Sequence, residues 1–373
     1  MKELQRTRSD VIDLLRGLVM AIMVLDHARD FFCGWNMHAT DLQQTTPILF
    51  FTRWITHFCA PTFLLLAGLG AALYGQKHGT PRLRHFLWTR GLWLVLLELT
   101  VVHFGWAPDP FWQFQILQVI WATGWAMVLL AALVSLPNLA LGILGLALMF
   151  LHPLLQGQLP PTLDMLLLNS GSLEPIPGHS LRVGYAILPW FGVLTFGFSL
   201  GKLWQQDRKR LTWLGIALLL AFVTMRLLHV GDPDPYVPQN SPLWSLIALL
   251  NCDKYPPSPT YLAMTLGPAL LLLAWLPDQP PQWTRFLVTY GRVPLFFYVA
   301  HLWLLRYTSI PLSFLVWGKE AATFGPTGHG LSPEFPLAAA YVAWMAALVL
   351  LVRPCAWWAA KKAAGRQWWW AYL

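Results

Sequence analysis

The sequence is poor in charged residues and in cysteine. Only 11% of its 373 residues are Asp, Glu, Lys or Arg, whereas about a quarter of the residues are charged in a soluble domain. This deficit excludes an ordinary water-soluble globule. The four cysteines contain no CxxC pair, which excludes a zinc ribbon and a thioredoxin motif. A long polar linker is also missing, so we expect one domain over residues 1–373.

The residues that are present suit a protein solvated by lipid. Hydrophobic residues make up 56% of the chain, and 22 tryptophans are available to anchor helix ends at the headgroup level. We therefore predict an all-α, polytopic membrane bundle of about ten transmembrane helices, each formed by an apolar stretch of about 20 residues. The predicted spans are 11–33, 48–74, 85–106, 112–136, 138–155, 183–204, 211–230, 258–277, 286–308 and 336–353.

Three apolar segments need a separate interpretation. The segments 243–250 and 310–317 are too short to span and are predicted to be re-entrant or interfacial helices. The first apolar run resembles a signal peptide because basic residues precede it. We interpret it as a retained span, since it contains Arg16, Asp26 and His27 and ends without an A-x-A cleavage site.

The charge of the connecting loops alternates along the chain. One set of loops is acidic, and the other set carries most of the lysines and arginines outside the spans. Under the positive-inside rule, this pattern predicts that both termini are cytoplasmic, and it explains the net charge of +8 without a nucleic-acid partner. The longest outer loops, 156–181, 231–257 and 318–335, are rich in Pro and Gly and are predicted to form irregular caps. Cys33, Cys59 and Cys252 lie towards the outer side, where a disulfide is permitted but not specified by the sequence.

Ionisable residues inside the spans are costly and therefore mark candidate functional sites. In the first span, one helical stripe contains Asp13, Arg16, Met20, Met23, His27 and Asp30, which recur at steps of three and four. His27, His57 and His301 fall in the predicted outer half of the membrane. Arg16, Arg90 and Arg292 fall in the inner half.

This polarity is typical of a tunnel that holds an anionic cofactor at its basic inner end. A neutral histidine deeper in the membrane would serve as a general base near neutral pH. Simpler interpretations stay open. Each arginine alone would fit a snorkelling anchor at the cytoplasmic interface, and His57 would fit a partner of a loop carboxylate.

The N-terminal motif carries a family resemblance. The run from Arg8 to Gly17, followed by Met23-Val24-Leu25-Asp26-His27, resembles the opening of the heparan-α-glucosaminide N-acetyltransferase catalytic-domain family, specifically its bacterial branch. Further similar stretches occur in order along the chain. They are Phe51–Phe63, Pro189–Gly192, Lys254–Ser258 and Gly291–Leu295, the last followed by Tyr298 and His301.

The resemblance implies a polytopic enzyme that takes an acetyl group from cytoplasmic acetyl-CoA and delivers it to a sugar amine or hydroxyl on the far side. Aligned on Arg16-Gly17, His27 falls where lysosomal members have a functional Asn. Their catalytic His has His38 and His57 as candidate counterparts. The motif is also similar to the start of membrane acyltransferases that modify surface polysaccharides, which place an essential His at the position of His27.

Our hypothesis from the sequence is an acyl-CoA-dependent acyltransferase. His27 would be the general base or a transient acyl carrier, Asp26 or Asp30 would orient its ring, and His57 and His301 would line the acceptor side. Arg16, Arg90 and Arg292 would bind the CoA phosphates. Arg292 and His301 are nine residues apart, which places them on opposite helix faces unless Pro294 breaks the helix.

Acetyl-CoA is the expected donor substrate, and no metal is expected. The expected partners are membrane lipid and a small-molecule or glycan acceptor. A homodimer is left open, and the expected location is the bacterial inner membrane. The main rival hypothesis is a transporter or flippase for a cell-envelope precursor, in which the buried histidines and carboxylates would form a proton relay.

Overall fold

The chain folds into a bundle of helices with one small sheet. A computed structural model describes residues 10–33, 39–318, 335–365, 367 and 370. The helices are α1 Asp10–Phe32, α2 Pro47–Thr56, α3 Cys59–His78, α4 Thr80–Leu97, α5 His103–Trp106, α6 Val119–Leu133, α7 Asn138–Leu151, α8 Pro161–Leu167, α9 Ile187–Ser199, α10 Gly201–Gln206, α11 Arg208–Leu227, α12 Pro242–Leu250, α13 Pro259–Trp275, α14 Arg285–Arg292, α15 Pro294–Trp317 and α16 Leu337–Ala364. The strands are β1 Phe114–Leu117, β2 Gly171–Ile176 and β3 His179–Val183.

Seven helical stretches in the described ranges are long and apolar enough to cross a membrane. The predicted spans 11–33, 112–136 and 258–277 correspond to α1, α6 and α13, which fall outside that set. The helix α1 carries several charges, and α6 and α13 are only 15 and 17 residues long. The chain is thus a mostly helical membrane bundle, and the number ten stays a prediction. The seven stretches are Pro47–His78, Thr80–Trp106, Asn138–Leu155, Ile187–Gln206, Arg208–Leu227, Pro294–Trp317 and Leu337–Ala364.

The small sheet corrects two predictions. Residues 112–118 are not the start of a span, because β1 pairs in parallel with β3, with Phe114 opposite Ser180. The loop 156–181 is not irregular, because it contains α8, β2 and part of β3, and β2 runs antiparallel to β3. A strand of four apolar residues and the first turn of a buried helix have the same composition. Hydropathy alone therefore did not separate β1 from α6, which follows it in the sequence.

The predicted span 48–74 is interrupted between α2 and α3. Pro61 lies in the first turn of α3 and has no backbone N–H, so it cannot bond the carbonyl of His57. The hydroxyl of Tyr261 donates to that carbonyl instead, at 2.8 Å. The break is therefore stabilised by a buried tyrosine from α13.

The predicted span 286–308 is divided into α14 and α15 at Val293, and Pro294 is the first residue of α15. Pro294 therefore separates the helix of Arg292 from the helix of His301, which is the alternative that the sequence left open. The segment 310–317 is not a separate interfacial helix, because α15 continues to Trp317. The helix α16 also runs eleven residues beyond the predicted end at 353. His38 and all but the ends of the predicted loop 318–335 lie outside the described residues.

Glycines allow the helices to pack backbone against backbone, as is common between membrane helices. The closest crossing joins α1 and α14. A Cβ at Gly17 would collide with the carbonyl of Leu287, and a Cβ at Gly291 would collide with the backbone of Asp13. The helices α4 and α6 also pack backbone against backbone, at Gly91 and Gly124. These crossings fix the positions of the polar residues on α1 and α14.

The loop between α11 and α13 is held by a buried arginine. Arg226 is 3% exposed and donates to the backbone carbonyls of Ala248 at 2.6 Å, Asp234 at 2.7 Å and Leu249 at 3.0 Å. Its guanidinium also lies 3.7 Å from the carboxylate of Asp232. These bonds fix the loop as a cap on the helix ends.

The α1–α14 crossing predicts the effect of a single added methyl group. Gly291→Ala should destabilise the protein by about 1–3 kcal/mol, because α14 must move away from α1. Thermal unfolding of the purified protein in detergent measures this loss. Gly70→Ala is the matched control, since its Cβ would meet only the Arg16 guanidinium, at 3.8 Å. Equal melting temperatures for the two variants would contradict the close crossing.

The capping loop predicts a pH dependence of stability. Burial raises the pKa of Asp253 from 3.8 to about 6, and the carboxylates of Asp232 and Asp234 add to this shift, while Arg226 opposes it. The folded state therefore binds this proton more tightly than the unfolded chain, and stability falls as pH rises from about 4 to about 6.

Asp253→Asn should remove the loss of stability that the titration of Asp253 causes between about pH 4 and pH 6. We expect the variant and the wild type to melt alike near pH 4, and the variant to melt higher at pH 7. Melting curves recorded across this range test the shift, and parallel curves for the two proteins would refute it.

Candidate functional site

Two cavities lie along the first helix. One, of about 670 Å³, is lined by residues of the last two turns of α1 and is here called the histidine cavity. The other, of about 1770 Å³, is lined by residues near the start of α1 and is called the basic cavity. Asp13 lines the basic cavity and Asp26 the histidine cavity, and these two residues lie thirteen positions apart, about 20 Å along α1. The polar stripe of α1 therefore connects them.

A pair of histidines lies at the histidine cavity. The Nδ1 of His27 is 2.7 Å from the Nε2 of His301, and the two rings are stacked with a 9° angle between their planes. The Nδ1 of His301 lies 2.9 Å from the backbone carbonyl of Phe297. The residues are 274 positions apart in the sequence, and both are buried.

The carbonyl of Phe297 determines which nitrogens carry hydrogen. A carbonyl only accepts, so the Nδ1 of His301 is the donor to it. With both rings neutral, the Nε2 of His301 then accepts a hydrogen bond from the Nδ1 of His27. The Nε2 of His27 is left with a lone pair, and His27 lines the cavity. The arrangement thus sets the tautomer that a general base needs.

The carboxylates beside His27 are paired with arginines. Asp26 binds Arg53 at 2.5 Å and Arg29 at 3.1 Å, and Asp30 binds Arg29 at 2.6 Å. In the described part of the chain, no hydrogen bond joins His27 to either carboxylate. The hydrogen bond to His301 therefore orients the ring of His27. The four charged side chains form a nearly buried network at the end of α1, which fixes α2 against α1.

Two further cations line the histidine cavity. Lys254 is 8% exposed, and its ammonium lies 5.0 Å from the ring centroid of Tyr255 and 5.7 Å from that of Tyr185. Arg182 comes from β3, is exposed and also lines the cavity. No carboxylate within the described ranges forms an ion pair with Lys254 or Arg182. The cavity therefore carries excess positive charge next to His27.

The basic cavity contains the three predicted arginines. Six basic side chains and four carboxylates line it. Tyr74 stacks on His78 at 4.2 Å and on Phe86 at 4.5 Å, and Arg90 lies over Phe86 at 5.9 Å. The cavity thus combines cationic groups with an aromatic stack. The charged lining residues are Asp10, Asp13, Arg16, Lys77, Arg90, Asp207, Arg208, Asp278, Arg292 and Lys362.

The α1–α14 crossing positions two of these arginines. Arg16 donates to the carbonyl of Gly291 at 3.1 Å and binds the carboxylate of Asp13 at the same distance. Arg292 binds Asp10 at 2.8 Å. Both guanidinium groups are held at one end of the bundle, where they border the cavity.

The structure gathers the candidate residues into two groups. Asp26, His27 and Asp30 line one cavity, and Arg16, Arg90 and Arg292 line the other. His301 contacts His27 but does not itself line the histidine cavity. His57 is buried beside Tyr261, with ring centroids 5.4 Å apart, and does not line the histidine cavity.

Sequence reasoning did not select Arg29, Lys254 or Tyr298 as site residues, although all three line the histidine cavity. Arg29 follows Asp26 by three residues on α1, and Lys254 is one of few basic residues in the predicted outer loops. These were the available signals. The described residues contain no cluster of three metal-ligating side chains, and all four cysteines are buried free thiols.

Comparison with known proteins agrees with the first-helix motif. The family model described as heparan-alpha-glucosaminide N-acetyltransferase, catalytic, matches residues 8–230. That match includes His27, Arg16 and Arg90 and ends before Lys254 and His301. No curated protein matches the chain. Because the match covers more than half of the sequence, the chain belongs to the heparan-alpha-glucosaminide N-acetyltransferase catalytic family.

Proposed function

We propose that the protein is an integral membrane acyltransferase that moves the acetyl group of acetyl-CoA to a sugar amine or hydroxyl. The observation that carries this proposal is the pair of cavities along α1, one basic and one centred on His27. The family match supports a transferase activity. We place the basic cavity on the cytoplasmic side of a bacterial inner membrane, as the distribution of basic loops suggests.

The basic cavity suits the nucleotide end of the donor. Coenzyme A carries phosphates, and guanidinium groups bind phosphate through two parallel hydrogen bonds. Arg16, Arg90 and Arg292 supply such groups from three different helices. The stack of Tyr74 and Phe86 offers apolar faces beside them for the adenine ring. The acetyl end would then point along α1 towards His27.

His27 would act as the general base. The acceptor nitrogen or oxygen forms a bond to the thioester carbonyl carbon while its proton passes to the Nε2 of His27. The carbonyl re-forms as the C–S bond breaks, and coenzyme A leaves as a thiolate. That thiolate takes up the proton which His27 acquired, so His27 returns to its starting state. His301 acts through His27 and is a positioning residue.

The acceptor would occupy the histidine cavity. Lys254 and Arg182 lie there without carboxylate partners in the described chain. A buried ammonium is stabilised when an acceptor supplies a hydrogen-bond acceptor or a negative charge. We therefore assign to these two side chains the binding of a polar or anionic group of the acceptor.

The division of roles predicts different defects for two variants. His27→Ala should still bind acetyl-CoA but lose transfer by about 10²–10⁴-fold, the range expected for a lost general base. Arg16→Ala should bind acetyl-CoA more weakly. Calorimetry measures binding, and release of the coenzyme A thiol with D-glucosamine as probe acceptor measures transfer. Arg285→Ala is the control, because Arg285 does not line the basic cavity. A wild type without affinity for acetyl-CoA would overturn the proposal.

The histidine pair predicts chemical rescue. His301→Ala should lower transfer by about 10–100-fold, by analogy with the loss seen when a group that orients a metal-bound imidazole is removed. Added imidazole should restore part of the activity by filling the space and accepting from the Nδ1 of His27. His152→Ala removes a buried histidine away from both cavities and should need no rescue. A defect in His301→Ala that imidazole leaves unchanged would indicate a merely structural role.

A further inference from the structure

We propose that Phe63 and Ile120 form an apolar partition that restricts the donor to short acyl chains. This inference rests on the proposed function. Phe63 and Ile120 are the two residues that line both the basic cavity and the histidine cavity in the described part of the chain. The donor enters from one cavity and His27 belongs to the other, so the acyl group meets this partition.

Ile120 is held in place by a buried carboxylate. It is the second residue of α6 and is 1% exposed. The Oε2 of Glu98 accepts a hydrogen bond from the backbone N–H of Trp121 at 2.9 Å, in the first turn of α6. A carboxylate at the start of a helix satisfies N–H groups that have no partner within the helix. Glu98 therefore fixes the first turn of α6 at the partition.

Neither helix of the partition can retreat easily. The helix α6 crosses α4 at Gly124, where a Cβ would lie 2.7 Å from the carbonyl of Gly91. Phe63 lies on α3, which crosses α9 so closely that a Cβ at Gly68 would collide with the carbonyl of Leu194. Widening the space between Phe63 and Ile120 would require α6 to separate from α4, or α3 to separate from α9. Close packing of this kind resists gradual deformation.

The partition predicts discrimination by chain length. An acetyl group places one methyl beyond the thioester carbonyl. A butyryl group has two more methylenes, which would collide with the partition. In a fixed apolar pocket, one misplaced methylene changes binding by about 10–200-fold. We expect butyryl-CoA to bind the wild type at least about 10-fold more weakly than acetyl-CoA. We also expect hexanoyl-CoA to bind more weakly still.

Substitutions at the partition test this assignment. Phe63→Ala and Ile120→Ala should bring the affinities for acetyl-CoA and butyryl-CoA close together, as measured by calorimetry on the purified full chain. The milder Phe63→Leu and Ile120→Val should change the ratio of these two affinities in the same direction. They keep the test valid if the alanine variants fail to fold. Ile120→Phe should weaken binding of butyryl-CoA further.

Two matched controls line only one cavity each. Ile116→Ala removes an isoleucine from the histidine cavity, and Phe86→Ala removes a phenylalanine from the basic cavity. Both should keep the wild-type ratio of affinities, even where Phe86→Ala weakens all donors alike. A ratio that stays unchanged at Phe63 and Ile120, in a wild type that binds acetyl-CoA, overturns the partition and leaves the proposed function standing. A wild type that binds no acyl-CoA overturns both.

Discussion

Ionisable groups on one helix inside a lipid-solvated bundle must find partners in the protein, and this constraint shapes the structure. The first helix carries Asp13, Arg16, Asp26, Arg29 and Asp30. Each is engaged by a neighbouring side chain, since an unpaired charge in such a place is very unfavourable. The partners come from α1 itself, α2 and α14. The arrangement of those elements around α1 therefore follows from the charges it carries.

The same constraint separates two kinds of chemistry along one helix. At one end, close crossing of α14 brings arginines together at a large cavity. At the other end, the paired carboxylates leave His27 to a different neighbour, His301, which fixes its tautomer through the carbonyl of Phe297. A helix with a polar stripe thus joins a site suited to phosphates with a site suited to proton transfer.

Local pattern predicted much of this from the sequence. The stripe on α1 depends on spacing within one helix, and a break at Pro294 depends on proline chemistry. The grouping of Arg16, Arg90 and Arg292, which lie on three helices, follows from their shared depth in the inner half of the predicted spans. The strand β1 was missed because its pairing with β3 is non-local, and a short apolar run does not reveal it. The contact of His27 with His301 was missed for the same reason. The partition at Phe63 and Ile120 leaves no sequence signal, because apolar residues are everywhere in such a chain.

The central claim is that one donor molecule spans the basic cavity and reaches His27. A structure of the full chain with a non-hydrolysable acetyl-CoA analogue tests it most directly. The account predicts the phosphates among Arg16, Arg90 and Arg292, and the acyl carbonyl at Phe63 and Ile120 on the path to His27. An analogue whose nucleotide lies in the histidine cavity, or whose acyl group points away from His27, would contradict the account.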